Sequence, residues 1–381
     1  MAVMVLLLAP LAAAVPWLWA RLAPSPAVVD RPAGPRQTLE SARPVMGFAI
    51  VAHHIGDFDL YLESVDRIAD LGANALTVVT PHFQKRADSS DVRLVRRKCP
   101  TDAQLIAILR RAKERGLLTM LQPIVLIEEP GENDWRGVIR PKDWDQWWAG
   151  YGRMIDRFLG IAGAADVDVF VIGSELNTTE DQVDRWKEVV DRVRGRFDGQ
   201  ITYSANWDRY DKVMLWRLVD AISISAYFEL ERERPEASRE ELARAWRPIR
   251  DGMLAYARRW DMPLFLSEVG YPSLPWAGAH PWNYVAKGED ADHAAQARAY
   301  GAFFDAWAPE MARGDDSVLG FFCYAWDPYH RGQSWDTGYG VDGKPAMAVI
   351  RDGFARIRGL SEQSEAPASR PDAPPTTRPA E

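Results

Sequence analysis

Short apolar runs and helical stretches alternate eight times between Met46 and Ile357, and that alternation limits the folds open to this chain. The runs fall at 46–51, 75–79, 117–125, 167–172, 200–204, 221–227, 263–268 and 319–326. Each is short, rich in Val, Ile, Leu and aromatics, and bounded by turn residues, as buried strands are. The segments between them space apolar residues for one helix face, as in Val183, Trp186, Val189, Val190 and Val193. Thr101-Asp102 caps another such helix, which runs to Arg115. Eight strand–helix units over roughly 310 residues predict an α/β fold, a single (β/α)8 barrel. A doubly wound open sheet is the alternative. It usually has fewer strands and a ligand motif in an early turn, and the early turns here carry none.

The ends of the chain read differently. Residues 1–20 contain no charged side chain, with Leu6-Leu7-Leu8 at the centre. They are expected to be a signal peptide or membrane anchor, so the protein is expected to be exported, to the periplasm or beyond. No basic residue precedes the apolar run, and Arg21 follows it. Residues 21–43 are rich in Pro, Ala and Arg and read as a linker; 44–360 make the barrel; 361–381 are a Pro-, Ala-, Ser-, Thr- and Glu-rich tail expected to be disordered. A net charge of −8 argues against nucleic acid, which wants a basic face. Cys99 and Cys323 form no metal pattern, and Cys323 sits inside a core strand.

In such a barrel the active site is built from the C-terminal ends of the strands. Those ends supply His53 and His54, His82, Gln122, Glu175, Asn206 and Trp207, Tyr227, Glu268, and Trp326. Two of these are carboxylates: Glu175 closes the fourth strand (Ile172-Gly173-Ser174-Glu175) and Glu268 the seventh (Leu266-Ser267-Glu268). A carboxylate at the lip of a buried strand is unfavourable unless paired or hydrogen-bonded. Two of them across one barrel mouth suit glycoside cleavage with retention, in which one carboxyl protonates the leaving oxygen and the other attacks the anomeric carbon. The sequence also holds 16 Trp, and flat aromatic faces stack on sugar rings as well as filling cores.

With these residues in place the chain resembles glycoside hydrolase clan A, and most closely family 113, whose known activity is β-mannanase. The resemblance covers about Val45 to Leu360. It implies Glu175 as acid/base and Glu268 as nucleophile. It implies Tyr227 as a hydrogen-bond partner of the nucleophile and Trp326 as the floor of a sugar subsite. Gly338-Tyr339-Gly340-Val341-Asp342-Gly343-Lys344-Pro345-Ala346 resembles the turn before the last helix of such barrels. Most clan members carry asparagine before the acid/base; here Ser174 stands there, with a shorter reach and a single donor. Asn206, Trp207, His82 and Ser174 complete the expected substrate-binding set.

The expected function is thus a retaining β-glycoside hydrolase, endo-acting on β-1,4-mannan or a related polysaccharide. It needs no cofactor, acts as a monomer, and meets a membrane only through an N-terminal anchor. The alternatives are hydrolysis of another β-glycan and a barrel that binds glycan without cleaving it; both glutamates being intact argues against the latter. His53 and His54 are adjacent on a strand and point to opposite faces, so they cannot ligate one metal. The Gly338–Gly343 glycine pattern does not open a βαβ unit and reads as a turn rather than a dinucleotide site. Asn177-Thr178-Thr179 matches a glycosylation triplet by pattern only.

Overall fold

The computed structural model describes residues 36–365 apart from positions 54, 286, 287, 315 and 316. Over these residues the chain runs β1 (Val45–Val51), α1 (Asp59–Asp70), β2 (Ala75–Gln84), β3 (Val92–Arg93), α2 (Asp102–Glu114), β4 (Leu118–Ile127), α3 (Trp144–Ala165) and β5 (Val169–Ser174). It continues through α4 (Val183–Arg194), β6 (Gln200–Asn206), β7 (Ala221–Ser225), α5 (Arg239–Trp260), β8 (Leu264–Gly270), α6 (His293–Ala312), β9 (Val318–Trp326) and α7 (Pro345–Glu365). The pairing order is β1-β9-β8-β7-β6-β5-β4-β2, and a parallel β1–β2 pairing closes it into the expected (β/α)8 barrel. The fourth and seventh barrel strands are therefore β5 and β8. The two-residue β3 lies outside the barrel, antiparallel to the end of β2, and has no signal in the sequence pattern.

Alternation along each strand sorts side chains into two cores. Inward-facing Val45, Ala75, Leu118, Met120, Val169, Val171, Ala221, Phe265 and Phe322 fill the lower half of the barrel. Outward-facing residues such as Phe48, Leu76, Phe170, Ile172 and Leu264 pack against the helices. The Thr101 side chain and Gln104 form the capping box that starts α2.

The floor of the barrel is closed by a segment that the composition places in a linker. Leu39 is fully buried in the lower core. Below it, Asp168 is buried and saturated with donors: Thr119 N at 2.8 Å, Thr119 Oγ1 at 2.9 Å, Gln37 N at 2.9 Å and Lys113 Nζ at 2.6 Å. Residues 36–43 thus belong to the barrel, because one leucine plugs its open end and the Gln37 amide satisfies a buried carboxylate. At the other end α7 continues to Glu365, past the boundary at 360. The signal peptide or anchor at 1–20, the linker up to residue 35 and the tail from 366 lie outside the described residues. Among the described residues no helix is long and apolar enough to cross a membrane.

Candidate active site

Both glutamates reach the barrel interior through breaks in strand regularity. On β8, Phe265 points into the lower core and Leu266 outward to the helices. Ser267 points inward again, its Oγ 2.7 Å from Ser204 Oγ. Strict alternation would then send Glu268 outward. The register against β9 shifts between Leu266 and Val269, and Glu268 also faces the interior. A slip of one residue reverses the face of everything beyond it. The same happens on β5, where the register against β6 shifts between Val171 and Ser174. Glu175 then takes a left-handed backbone, φ 52°, with its amide donating to Ser204 O at 2.8 Å. That conformation is uncommon outside glycine and asparagine, and such strain gathers at functional sites.

The two carboxyls have different partners. Tyr227 Oη donates to Glu268 Oε2 at 2.6 Å, and Gln122 Nε2 donates to Glu268 Oε1 at 2.7 Å. Gln122 Nε2 also lies 3.4 Å from Ser174 Oγ, joining the two glutamate-bearing strands. Glu175 Oε2 instead accepts from Arg136 Nη2 at 2.5 Å. Glu175 is 6% and Glu268 3% exposed. Burial first, and then the negative charge of Glu175, push Glu268 up to about 7 against Arg136, Tyr227 and Gln122. Burial opposes the charge of Arg136, but Glu175 and then Glu268 more than offset it. Tyr227 is raised well above the ordinary phenol range, by burial and then by Glu268, so it remains an O–H donor. Gly270 permits this packing: a Cβ there would lie 2.7 Å from Tyr324 O and 3.0 Å from Tyr227 Cε1.

A wall of tyrosines leads away from the Glu268 side. Tyr227 meets Tyr324 edge-on at 6.2 Å and Tyr339 at 5.9 Å, and Tyr339 meets Tyr284 at 6.2 Å. Tyr284 is largely exposed. Trp326 is not part of this wall, which corrects the expectation that it floors a sugar subsite. The register between β1 and β9 slips between Ala49 and Ile50, pairing Ala49 with Tyr324 but Ile50 with Trp326. Tyr324 packs beside the inward-facing Ala49, Val79 and Ile124. Trp326 faces the helices, fully buried in the outer core against Phe48 at 5.4 Å, with the Arg67 guanidinium over its ring at 5.5 Å. Trp326→Ala should therefore lower unfolding free energy by about 3–5 kcal/mol, measured by denaturant titration, and leave KM unchanged. Tyr324→Ala should raise KM at a smaller loss of stability.

His82 likewise turns outward. It is 4% exposed, packs on Phe158 of α3 at 5.3 Å, and burial lowers it to about 4. It is a neutral core histidine and not a substrate contact. Asn206 lies two residues beyond the inward Ser204 on β6 and is nearly buried, its Oδ1 accepting from Trp207 N at 3.0 Å. Trp207 packs edge-on against Phe228 at 5.6 Å. His53 is lowered to about 4 by burial and then by Arg136, so it stays neutral at the mouth; His54 lies outside the described residues. Arg136 carries no signal in the sequence. It sits in a short turn between β4 and α3, where no periodicity marks it. Only its place beside Trp135 in a loop at the barrel mouth hints at a role. Among the described residues no group of three or more His, Cys, Asp or Glu is arranged to hold a metal ion, and Cys99 and Cys323 are both free and buried.

Paired carboxyls at the mouth of a packed (β/α)8 interior suit the acid–base and nucleophilic chemistry of glycosidic bond cleavage. Fold and site together define a glycoside hydrolase. The profile of Glycoside Hydrolase Family 113 matches residues 56–344, and the chain belongs to that family. Among solved structures, it is similar to a family 113 β-mannanase from Alicyclobacillus acidocaldarius in complex with ManMIm, at 26% identity and TM-score 0.71, over 82% of this chain and 97% of that one. Two further structures of family 113 β-1,4-mannanase, one of them a complex, are each 25% identical, with TM-scores of 0.71 and, for the complex, 0.70, over 82% of this chain and 99% and 98% of those. A GH5_18 protein from Streptomyces cattleya, at 16% identity and TM-score 0.51 over 85% of this chain and 83% of that one, shares the fold. No curated protein matches the sequence.

Proposed function

We propose that the protein is an endo-acting β-1,4-mannanase, with Glu268 as nucleophile and Glu175 as acid/base. The observation that carries the division of labour is the asymmetry of hydrogen bonding. Both oxygens of Glu268 are held by neutral donors, Tyr227 and Gln122, which orient a carboxylate for attack without pairing it with a cation. Glu175 has Arg136 on Oε2. Its Oε1, with no partner among the described residues, is free for proton traffic.

In the first step a Glu268 oxygen bonds to the anomeric carbon, the glycosidic C–O bond breaks, and the departing oxygen takes the proton of Glu175. In the second step a water gives its proton to Glu175, its oxygen bonds to the anomeric carbon, and the bond to Glu268 breaks. Tyr324, Tyr339 and Tyr284 supply ring faces for successive sugars. Mannan is proposed because the family 113 structures at 25–26% identity are β-mannanases. Action outside the cytoplasm is proposed from the uncharged run at 1–20.

The test is a panel of β-linked polysaccharides, with reducing ends, product sizes and anomeric configuration measured on protein starting at Arg36. Galactomannan or glucomannan should give internal cuts and β products, at least about tenfold faster than cellulose, xylan or galactan. Faster release from one of those others would replace mannan as substrate. An initial α product would remove the double displacement.

A further inference from the structure

Behind Glu175 lies a buried carboxyl that the reaction does not use. Glu180 follows the turn after β5, is 4% exposed, and sits outside the barrel mouth. Its Oε1 accepts from Tyr203 Oη at 2.9 Å, and the same Oη accepts from the Leu176 backbone N–H at 2.9 Å. Leu176 directly follows Glu175, so the far end of this chain of bonds is the peptide that leaves the acid/base residue. The other side of Leu176 is also held: its carbonyl accepts from Thr179 N at 2.8 Å and Thr179 Oγ1 at 2.7 Å. Tyr203 is fully buried and contacts Trp186 at 5.3 Å and Trp216 at 6.4 Å, which fix its ring.

Scaffolding alone does not account for a carboxyl here. Glu180 Oε2 has no hydrogen-bond partner among the described residues. Arg209 Nε forms an ion pair with Glu180 Oε2 at 3.6 Å, too long for a hydrogen bond. The charged groups facing Glu180 are Arg209 and the like-charged Asp208, and burial raises Glu180 to about 7 against Tyr203 and Arg209. A buried carboxyl held this way adds little stability, and an apolar pair of similar volume would serve the fold as well. What Glu180 accomplishes is local. It fixes which way the Tyr203 hydroxyl points, so that the hydroxyl's lone pair is offered to Leu176 N–H. That bond holds a peptide whose preceding residue has a left-handed backbone with no regular structure to impose it.

We propose that Glu180 and Tyr203 are positioning residues for Glu175, acting through the Leu176 amide to hold its carboxyl where the glycosidic oxygen will lie. The inference rests on Glu175 being the acid/base. Misplacing that carboxyl by a fraction of an ångström should slow the proton-dependent step and spare the rest.

The test compares Tyr203→Phe, Glu180→Ala, Glu180→Gln and Glu175→Ala in the full chain on two probes. Mannohexaose has a leaving group that needs protonation; 2,4-dinitrophenyl β-mannobioside has one that does not. Tyr203→Phe and Glu180→Ala should lower kcat on mannohexaose about tenfold or more with KM unchanged, while the first-step burst with the aryl glycoside stays within about twofold. Glu180→Gln keeps an acceptor for Tyr203 and should recover most of the loss. Crystals of Tyr203→Phe should show the Glu175 carboxyl displaced from Arg136. Equal losses on both probes, or no loss on mannohexaose, with Glu175→Ala still selective for leaving group, would overturn the positioning role alone. So would an unmoved Glu175 in the Tyr203→Phe crystals. A Glu175→Ala variant that loses both probes equally would take down the acid/base reading and the positioning role together.

Discussion

Glu268→Ala should reduce turnover of every substrate by about 10^4-fold or more, whatever its leaving group. The substitution removes the attacking oxygen, so no covalent glycosyl-enzyme forms and an activated aryl glycoside fares no better than mannan. It also strips Tyr227 and Gln122 of their shared acceptor. Azide that enters the vacated space attacks from the face opposite the leaving group, and any rescued product should be the inverted α-mannosyl azide. The measurement is a leaving-group series for aryl β-mannosides, with the azide adducts assigned by NMR. A β-azide from this variant, with none from Glu175→Ala, would show that the roles are exchanged.

Glu175→Ala should behave in the opposite manner. Hydrolysis of mannan, whose leaving alcohol needs a proton, should fall by about 10^2- to 10^4-fold, the usual worth of general acid catalysis. Formation of the glycosyl-enzyme from a dinitrophenyl glycoside should be largely spared, since that phenolate leaves unaided. Water then lacks its base, so the covalent intermediate should accumulate and be visible by mass spectrometry of the intact protein. Azide needs no deprotonation; it should restore turnover and give the retained β-mannosyl azide. The substitution leaves Arg136 without its carboxylate. Part of any rise in KM will therefore reflect a freed guanidinium, which Glu175→Gln separates by retaining an acceptor oxygen. Full activity of either alanine variant would take that residue out of the mechanism.

The barrel and its two glutamates are both legible in the sequence, but for different reasons. The barrel is written eight times over, in apolar runs of strand length separated by helical spacing, so an error in one unit would not have changed the fold. Glu175 and Glu268 are marked because a carboxylate closing an apolar run is energetically conspicuous. Tyr227 is placed by the same strand-end rule, together with the resemblance to family 113, and the structure puts its hydroxyl on Glu268.

What the sequence could not decide is which way a side chain faces once a strand departs from regular pairing. Trp326 and Tyr324 are two residues apart and should share a face, yet one lines the mouth and the other is sealed among the helices. The deciding event is a one-residue slip against β1, which depends on a strand some 270 residues away and leaves no local trace. The same kind of slip turns Glu268 inward after Ser267. The remaining gaps are contacts distant along the chain: Leu39 filling the floor, Arg136 reaching Glu175 across 39 positions, and Tyr203 spanning 27 positions to hold Leu176. Periodicity and composition report what a residue needs from its neighbours in sequence, and so determined the architecture and marked Glu175 and Glu268 as the two strand-end carboxyls. Register and long-range hydrogen bonds report what it meets in space, and only the closed barrel settled how that pair is aimed, charged and held.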